Sequence, residues 1–190
     1  LGADMLGFVM APSKRRAEPR LVRELAGLDV LKVAVVVTER HDGVPRLDPA
    51  VAELLHEGLL DAVQLHGDET PTECAQIAFP YYKALRMRSV AEVAAMADYR
   101  CPRVLADAYS PAASGGTGQR VPSEIIAEIR KQRPLWIAGG IGPDNVAEVL
   151  RDFSPELIDA SSRLEESSGR KDRKKLETFF TEIQRHAEVQ

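Results

Sequence analysis

The feature that most constrains the fold is a regular alternation of short apolar segments with amphipathic ones. The apolar, β-branched segments are predicted to be strands: Met5–Met10, Val33–Thr38, Ala62–His66, Tyr82–Arg86, Arg103–Asp107, Leu135–Ala138 and Leu157–Ala160. The intervening segments are predicted to be helices: Glu18–Ala26, Pro49–Glu57, Thr72–Ala78, Val90–Asp98, Pro122–Lys131, Pro143–Arg151 and Asp172–Ala187. Strands recur about every 20 to 30 residues, which is the spacing of βαβ units in a parallel sheet.

Seven strand–helix units fit either an open, doubly wound sheet or a closed barrel of eight strands. The first residues, Leu1–Asp4, are typical of a helix end that leads at once into a strand. A barrel that lacks one strand exposes two unpaired edges, which is unfavourable. We therefore predict an α/β fold of the (β/α)8 TIM-barrel class. A single domain over residues 1–190 would hold about seven of the eight units, with the first strand and helix absent.

Composition excludes several classes of function. The chain of 190 residues is 44% hydrophobic and 28% charged, as in ordinary globular proteins, and its net charge of −4 does not favour nucleic acid. No apolar run approaches the roughly 20 residues of a membrane span, and no signal peptide is visible. Two cysteines without metal-ligand spacing fit a reducing compartment. We expect a cytoplasmic protein with no metal site, nucleic-acid partner or membrane contact.

Two strand-to-helix junctions late in the chain are rich in small residues. One contains Gly139 and Gly140 before a helix that starts with proline, and the other contains Ser161 and Ser162. Small residues let backbone N–H groups approach an anion, and a helix N-terminus carries partial positive charge. Junctions of this kind on the last two strands hold substrate phosphate in (β/α)8 barrels. The sequence therefore predicts an enzyme that acts on a phosphorylated small molecule.

Ionisable side chains also lie where strands end, which is the catalytic rim of a barrel. Asp107 ends an apolar strand, and partial desolvation there suits a general acid, although it could instead bond its own loop backbone. Asp159 is placed alike and could cap the turn that follows it. Arg16 can pair with a carboxylate or stay solvated, and His66 can contact substrate or be satisfied by backbone.

The remaining polar segments have weaker interpretations. The glycine-rich segment Ser114–Gly118 lacks the Gly-Lys-Ser/Thr end of a Walker loop and is either a lid or a solvent loop. Cys74 and Cys101 are expected to be structural. The tyrosines and Trp136 are interpreted as packing residues. The charged run Gly169–Lys175 is interpreted as a solvated helix start.

Taken together, these segments resemble phosphoribosylanthranilate isomerase, a (β/α)8 enzyme of tryptophan biosynthesis. The resemblance runs nearly end to end, and the combination in this order is specific although no single segment is. It rests on Gly2–Val9, Ala62–Glu69, Leu105–Asp107 with Gly115–Gly118, Ala138–Ile141 with Pro143–Val146, and Asp159–Ser162 with Gly169–Asp172.

The resemblance implies an Amadori rearrangement, an isomerisation of the aldose–ketose type. The ribose of N-(5-phosphoribosyl)anthranilate opens to a Schiff base, which loses a proton at C2 and gives 1-(2-carboxyphenylamino)-1-deoxyribulose 5-phosphate. By resemblance, Asp107 is the general acid and Arg16 holds the anthranilate carboxylate. His66 and Asp159 line the site.

The resemblance also implies that backbone around Gly139, Gly140, Ser161 and Ser162 holds the phosphate, in agreement with the two small-residue junctions. No cofactor is implied, because proton transfers suffice. The expected partner is the phosphorylated substrate, and the protein is expected to be a monomer or a homodimer.

The chain departs from the family pattern in three places. The family's general base is a cysteine at the end of the first strand, which this sequence does not include, and neither Cys74 nor Cys101 can replace it. Arg163 stands where the family usually has glycine after the paired serines, so it either adds a cationic contact or hinders phosphate binding. Gln119 and Arg120 follow the glycine-rich segment, where the family usually has lysine.

Two other interpretations stay open at this point. One is a noncatalytic barrel remnant that serves binding or assembly. The other is a sister phosphate-binding barrel, either a Schiff-base lyase or an isomerase with paired aspartates. A lyase needs a lysine at the C-terminal end of a strand, whereas Lys83 lies near the start of one.

Overall fold

The computed structural model describes residues 1–108 and 121–188. Its strands are β1 (Met5–Val9), β2 (Leu31–Val36), β3 (Glu39–His41), β4 (Val44–Arg46), β5 (Ala62–Leu65), β6 (Tyr81–Met87), β7 (Val104–Ala108), β8 (Trp136–Ala138), β9 (Leu157–Asp159), β10 (Glu165–Ser167) and β11 (Arg170–Lys171). Its α-helices are α1 (Pro19–Glu24), α2 (Pro49–His56), α3 (Pro71–Cys74), α4 (Val90–Ala94), α5 (Ser123–Gln132), α6 (Val146–Phe153) and α7 (Arg173–Glu188). Short 3₁₀ turns cover Ala95–Asp98 and Ser162–Leu164.

All seven strands and seven helices predicted from the sequence are present, with ends that differ by a few residues. Two antiparallel hairpins, β3–β4 and β10–β11, were not predicted. Within the two described stretches, no helix has the length and apolar character needed to cross a membrane.

The chain forms two compact units. The first comprises Ala3–Ala84 with Asp98–Pro102. Its parallel strands are ordered β1-β2-β5-β6, and α1 and α2 cover them with buried side chains such as Val22 and Leu54. This apolar layer fixes where the ends of the strands lie.

The second unit comprises Leu1–Gly2, Leu85–Ala97 and the described residues of Arg103–Gln190. It holds the end of β6 followed by β7, β8 and β9, and the last three strands are paired in parallel. Its buried apolar side chains come from both strands and helices, as Ile137 and Ile129 illustrate. Three residue pairs in each of these two strand pairings align the ends of the strands.

Local capping explains where several helices begin. The Asp48 carboxylate accepts a hydrogen bond from the Ala50 N–H at 2.9 Å, and proline follows it at the first position of α2. Thr70 and Glu73 form a reciprocal capping box at α3. Helix α6 begins at Val146 rather than at the predicted Pro143, because the preceding residues form the turn described below.

The two unpredicted hairpins have local causes. In β3–β4 the turn residues Asp42 and Gly43 both have positive φ, 53° and 77°, and Asp-Gly is a strong signal for such a turn. In the other hairpin Arg170–Lys171 is the strand β11, so the interpretation of Gly169–Lys175 as a helix start was wrong for its first residues. In this hairpin the Lys171 ammonium contacts Ser161, in the loop after β9.

A buried ion pair lies at the C-terminal end of β5. The Lys83 ammonium is 3.1 Å from a Glu69 carboxylate oxygen, and each side chain is only 1% exposed. The same ammonium donates hydrogen bonds to the carbonyls of Leu65, Gly67 and Ala84 at 2.7–3.0 Å. Lys83 therefore binds the backbone on both sides of His66.

Glu69 completes this cluster. Its carboxylate accepts hydrogen bonds from the N–H groups of Thr38, at 2.9 Å, and Gly67, at 3.0 Å. Burial opposes ionisation of Glu69, but the Thr38 N–H and the Lys83 ammonium outweigh it and hold the pKa of this carboxyl below its usual value. The pair thus joins the segments after β2 and β5 to the middle of β6.

We predict that Lys83→Met lowers the free energy of unfolding by about 3–5 kcal/mol, because it leaves the Glu69 carboxylate buried without its cation. Denaturant unfolding at neutral pH measures this. The control Lys131→Met removes an exposed lysine that pairs with Glu128, and it should cost less than about 1 kcal/mol. Equal losses in the two variants would contradict the assignment.

Candidate active site

Two aspartates occupy equivalent positions at the ends of neighbouring strands in the second unit. Asp107 on β7 is in register with Ala138 on β8, which is in register with Asp159 on β9. Residues in register on parallel strands point to the same face, with strands about 4.8 Å apart. Two such steps put the two aspartates roughly 10 Å apart. The small side chain of Ala138 between them leaves space for both carboxylates.

Gly139 lies directly against Asp107. It has a φ of 91°, and a Cβ added there would be 2.5 Å from the Ala108 Cβ and 3.0 Å from an Asp107 carboxylate oxygen. Both the backbone conformation and the space therefore require glycine at this position. The glycine lets the β8–α6 turn approach the candidate acid closely.

Asn145 shapes the rest of that turn. Its side chain accepts a hydrogen bond from the Gly142 N–H and donates one to the Gly140 carbonyl, each at 2.9 Å. These bonds hold the turn in a loop conformation up to Asn145, which is why α6 starts one residue later. Gly140, with a φ of 63°, is thereby fixed beside Gly139.

Arg163 connects the β8–α6 turn to the segment after β9. Its guanidinium donates to the Gly140 carbonyl at 3.0 Å and forms an ion pair with Asp144. A Cβ on Gly142 would lie 2.8 Å from the Arg163 Cβ, so Gly142 provides the room for this side chain. Arg163 therefore links the segment that follows Ser162 to the β8–α6 turn.

The second junction is supported from the hairpin that follows it. The Lys171 ammonium donates to the Ser161 carbonyl at 3.0 Å and lies 3.3 Å from both the Ser161 hydroxyl and a carboxylate oxygen of the buried Glu165. Ser162 begins the short 3₁₀ turn and is half-buried. Ser161 is thus held by a cation that sequence analysis did not single out.

His66 follows β5 in the first unit, and a chain of polar side chains leads to it. The Tyr82 hydroxyl donates to the Gln64 side-chain carbonyl at 2.9 Å, and the Gln64 amide nitrogen is 2.8 Å from Nδ1 of His66. Gln64 is 2% exposed and Tyr82 9%. The interpretation of the tyrosines as packing residues was incomplete for Tyr82, because its hydroxyl enters this chain.

Arg16 also lies in the first unit, in the loop after β1. One of its guanidinium nitrogens is 3.5 Å from an Asp48 carboxylate oxygen, and the two side chains are 40% and 39% exposed. An exposed pair at this distance contributes little stability, so another carboxylate can replace Asp48. Arg15 beside it is less exposed and is a second candidate for the same contact.

Other candidates from the sequence are resolved more simply. Cys74 lies in α3, and burial raises the pKa of its thiol to about 11, so this thiol is neither a base nor a nucleophile at neutral pH. Cys101 is also buried. The segment Ser114–Gly118, with Gln119 and Arg120, lies outside the described residues. In the described part of the chain, no group of three or more His, Cys, Asp or Glu side chains is arranged to hold a metal ion.

Comparison with known proteins identifies relatives of this chain. A family model for N-(5'-phosphoribosyl)anthranilate (PRA) isomerase matches residues 2–182. The N-(5'-phosphoribosyl)anthranilate isomerase of Geobacter sp. (strain M21) is 38% identical over 189 residues, which cover 97% of this chain and 89% of that protein.

Solved structures give the same result. The phosphoribosyl anthranilate isomerase of Thermus thermophilus has a TM-score of 0.79 at 32% identity, covering 100% of this chain and 90% of that one. A phosphoribosyl anthranilate isomerase in complex with reduced 1-(o-carboxyphenylamino)-1-deoxyribulose 5-phosphate has a TM-score of 0.76 at 28% identity, covering 96% and 88%.

These matches define an enzyme of the (β/α)8-barrel class, an isomerase, and so confirm the fold and enzyme class predicted from the sequence. More narrowly, the chain belongs to the phosphoribosylanthranilate isomerase family of tryptophan biosynthesis.

We predict that Gly139→Ala lowers the free energy of unfolding by about 2–5 kcal/mol, the sum of left-handed backbone strain and the clash with Ala108. The control is Gly58→Ala, since Gly58 has a φ of 70° but no neighbour within 4 Å of the added Cβ. It should show only the strain, about 1–2 kcal/mol. Thermal or denaturant unfolding measures both, and similar losses would contradict the close approach.

Proposed function

We propose that this protein converts N-(5'-phosphoribosyl)anthranilate into 1-(2-carboxyphenylamino)-1-deoxyribulose 5-phosphate by an Amadori rearrangement. The proposal includes cytoplasmic location, action without a cofactor, and a monomer or homodimer as the working form. The observation that carries it is the cluster of Asp107, Gly139 and Arg163, which supports a carboxyl group beside two converging loops of small residues. The related isomerase that binds a reduced product analogue supports the choice of substrate.

In the proposed reaction Asp107, as a carboxylic acid, donates a proton to the ribose ring oxygen. The bond between this oxygen and C1 breaks, and the anthranilate nitrogen lone pair forms a C1=N bond, which gives the open-chain Schiff base. The general base removes the C2 proton, which gives an enolamine, and a proton then returns from the base to C1. The C2 hydroxyl releases its own proton as the C2 ketone forms, and this proton balances the one that Asp107 donated, so acid and base return to their starting states. The atoms of substrate and product are the same, so no co-reactant is needed.

The general base is assigned only by resemblance, to the cysteine that ends the first strand in the family. Cys74 does not fit this role, because its thiol is buried and its pKa is raised to about 11. A Schiff-base lyase is disfavoured by Lys83, whose ammonium is buried and bonded to Glu69 and three backbone carbonyls.

The phosphate is proposed to bind backbone N–H groups around Gly139, Gly140, Ser161 and Ser162. This placement is supported by the contact between Arg163 and the Gly140 carbonyl, because that bond joins the two loops. Phosphate is a good ligand for such loops, since unpaired N–H groups and small side chains allow close approach.

The anthranilate carboxylate is assigned to Arg16 by resemblance to the family. Arg16 would exchange its exposed pair with Asp48 for the anthranilate carboxylate, which a guanidinium can bind through two parallel hydrogen bonds. By the same resemblance, His66 and Asp159 are proposed to contact substrate. Replacing Arg15 and Arg16 separately by alanine decides which of the two makes the carboxylate contact, since only that variant should lose affinity for anthranilate-bearing substrate.

We predict that Asp107→Asn lowers kcat for phosphoribosylanthranilate by about 100-fold or more, because the amide cannot donate an acidic proton. Steady-state kinetics measure this. The control Asp152→Asn changes a carboxylate on α6 that pairs with Arg151, and its kcat should be unchanged. Normal turnover by Asp107→Asn would refute the acid assignment.

We also predict that Arg163→Gly, which restores the residue usual in the family, raises KM by roughly three- to tenfold while kcat changes less. The loss of one charged hydrogen bond to Gly140 loosens the loops that bind phosphate without touching the acid. Replacement of Arg151 by glycine on the exposed face of α6 is the control for loss of positive charge. A lower KM would show that Arg163 hinders phosphate binding instead, and an unchanged KM would show that it does not support the phosphate loops.

A further inference from the structure

The polar chain that ends at His66 is built into an apolar part of the first unit. Gln64 is flanked along β5 by the buried Val63 and Leu65, and Tyr82 projects from the neighbouring strand β6. Burying an amide and a hydroxyl here is unfavourable unless their hydrogen bonds are made. Both bonds are made, and they lead in one direction, from Tyr82 through Gln64 to His66.

The order of donors and acceptors along this chain determines the state of the imidazole. A phenol is a better donor than acceptor, and the Tyr82 O–H donates to the oxygen of the Gln64 amide. The NH₂ group of that amide therefore faces Nδ1 of His66, at 2.8 Å. An amide NH₂ group only donates, so Nδ1 must accept, and in a neutral imidazole the proton then lies on Nε2.

The backbone that carries His66 is also held in place. Lys83 binds the carbonyls of Leu65 and Gly67, the residues on either side of His66, and the His66 N–H donates to the Val36 carbonyl at 2.8 Å. The backbone contacts with Lys83 and Val36 thus fix the position of His66. The contact between Gln64 and Nδ1 determines which ring nitrogen carries the proton.

We propose that Gln64 and Tyr82 are positioning residues that hold His66 as the neutral Nε2–H tautomer, so that His66 serves as a hydrogen-bond donor to a substrate oxygen and not as a base. The consequence for catalysis rests on the proposed function, whereas the tautomer itself does not. A donor at this place can bind a sugar hydroxyl or a carboxylate oxygen of the substrate, and the proton at C2 has to be removed by another group.

Long-range ¹H–¹⁵N correlation spectra of the protein, labelled with ¹⁵N-histidine, distinguish the two tautomers directly. Comparison with His66→Asn identifies the His66 signals among those of the four histidines. We expect the Nε2–H tautomer in the wild type. Gln64→Glu places a carboxylate, which only accepts, beside Nδ1 and should move the proton to Nδ1 or give the imidazolium.

Tyr82→Phe is the milder variant, because it removes one hydroxyl from the chain and keeps the ring. It should give a mixture of tautomers and lower kcat/KM for phosphoribosylanthranilate by roughly three- to tenfold, the effect of one hydrogen bond. Tyr81→Phe changes the neighbouring residue, which points to the other face of β6, and should change neither the spectrum nor the kinetics.

The proposal is overturned if wild-type His66 carries its proton on Nδ1, if Tyr82→Phe leaves the tautomer unchanged, or if Tyr82→Phe and Tyr81→Phe behave alike in kinetics. Failure of the proposed function gives a different result, namely wild-type protein that does not convert phosphoribosylanthranilate. The spectra need no turnover and decide the tautomer in either case.

Discussion

The first unit depends on the ion pair and the hydrogen bonds that the Lys83 ammonium forms. This ammonium joins the end of β5 to the middle of β6 through three carbonyls, and through Glu69 it reaches the N–H of Thr38 after β2. Buried backbone groups at these places need hydrogen-bond partners, and a charged pair can supply several of them at once. His66 gains its position from this arrangement.

In the second unit, small residues rather than a charged pair determine where the candidate site residues lie. Asp107 can lie beside the β8–α6 turn only because Gly139 has no side chain, and Ala138 separates the two aspartates with a single methyl group. Larger residues at either place would push the candidate acid away from the loops. In both units the candidate site residues therefore lie near strand ends, and neighbouring residues that are not proposed to touch substrate hold them in place.

The fold and much of the candidate site could be predicted from the sequence, because strand ends are marked by where an apolar run stops. Asp107 and Asp159 were found in this way. The pairing of Gln64 with Tyr82 was not, because it depends on which residues of two separate strands become neighbours. The difference between Arg15 and Arg16 was also hidden, since a loop has no periodicity that assigns a face. The Asp42–Gly43 hairpin could have been found, because its turn signal is local.

Arg163 and Gly142 depend on each other. The arginine occupies the volume that a side chain at residue 142 would need. Its positive charge is balanced by Asp144, which lies two residues after Gly142. Once arginine is established at 163, any other amino acid at 142 becomes costly, and a reversion at 163 removes that restriction. Mutations at these two sites are therefore expected to be non-additive, and the order in which they arise decides which intermediate sequences stay viable.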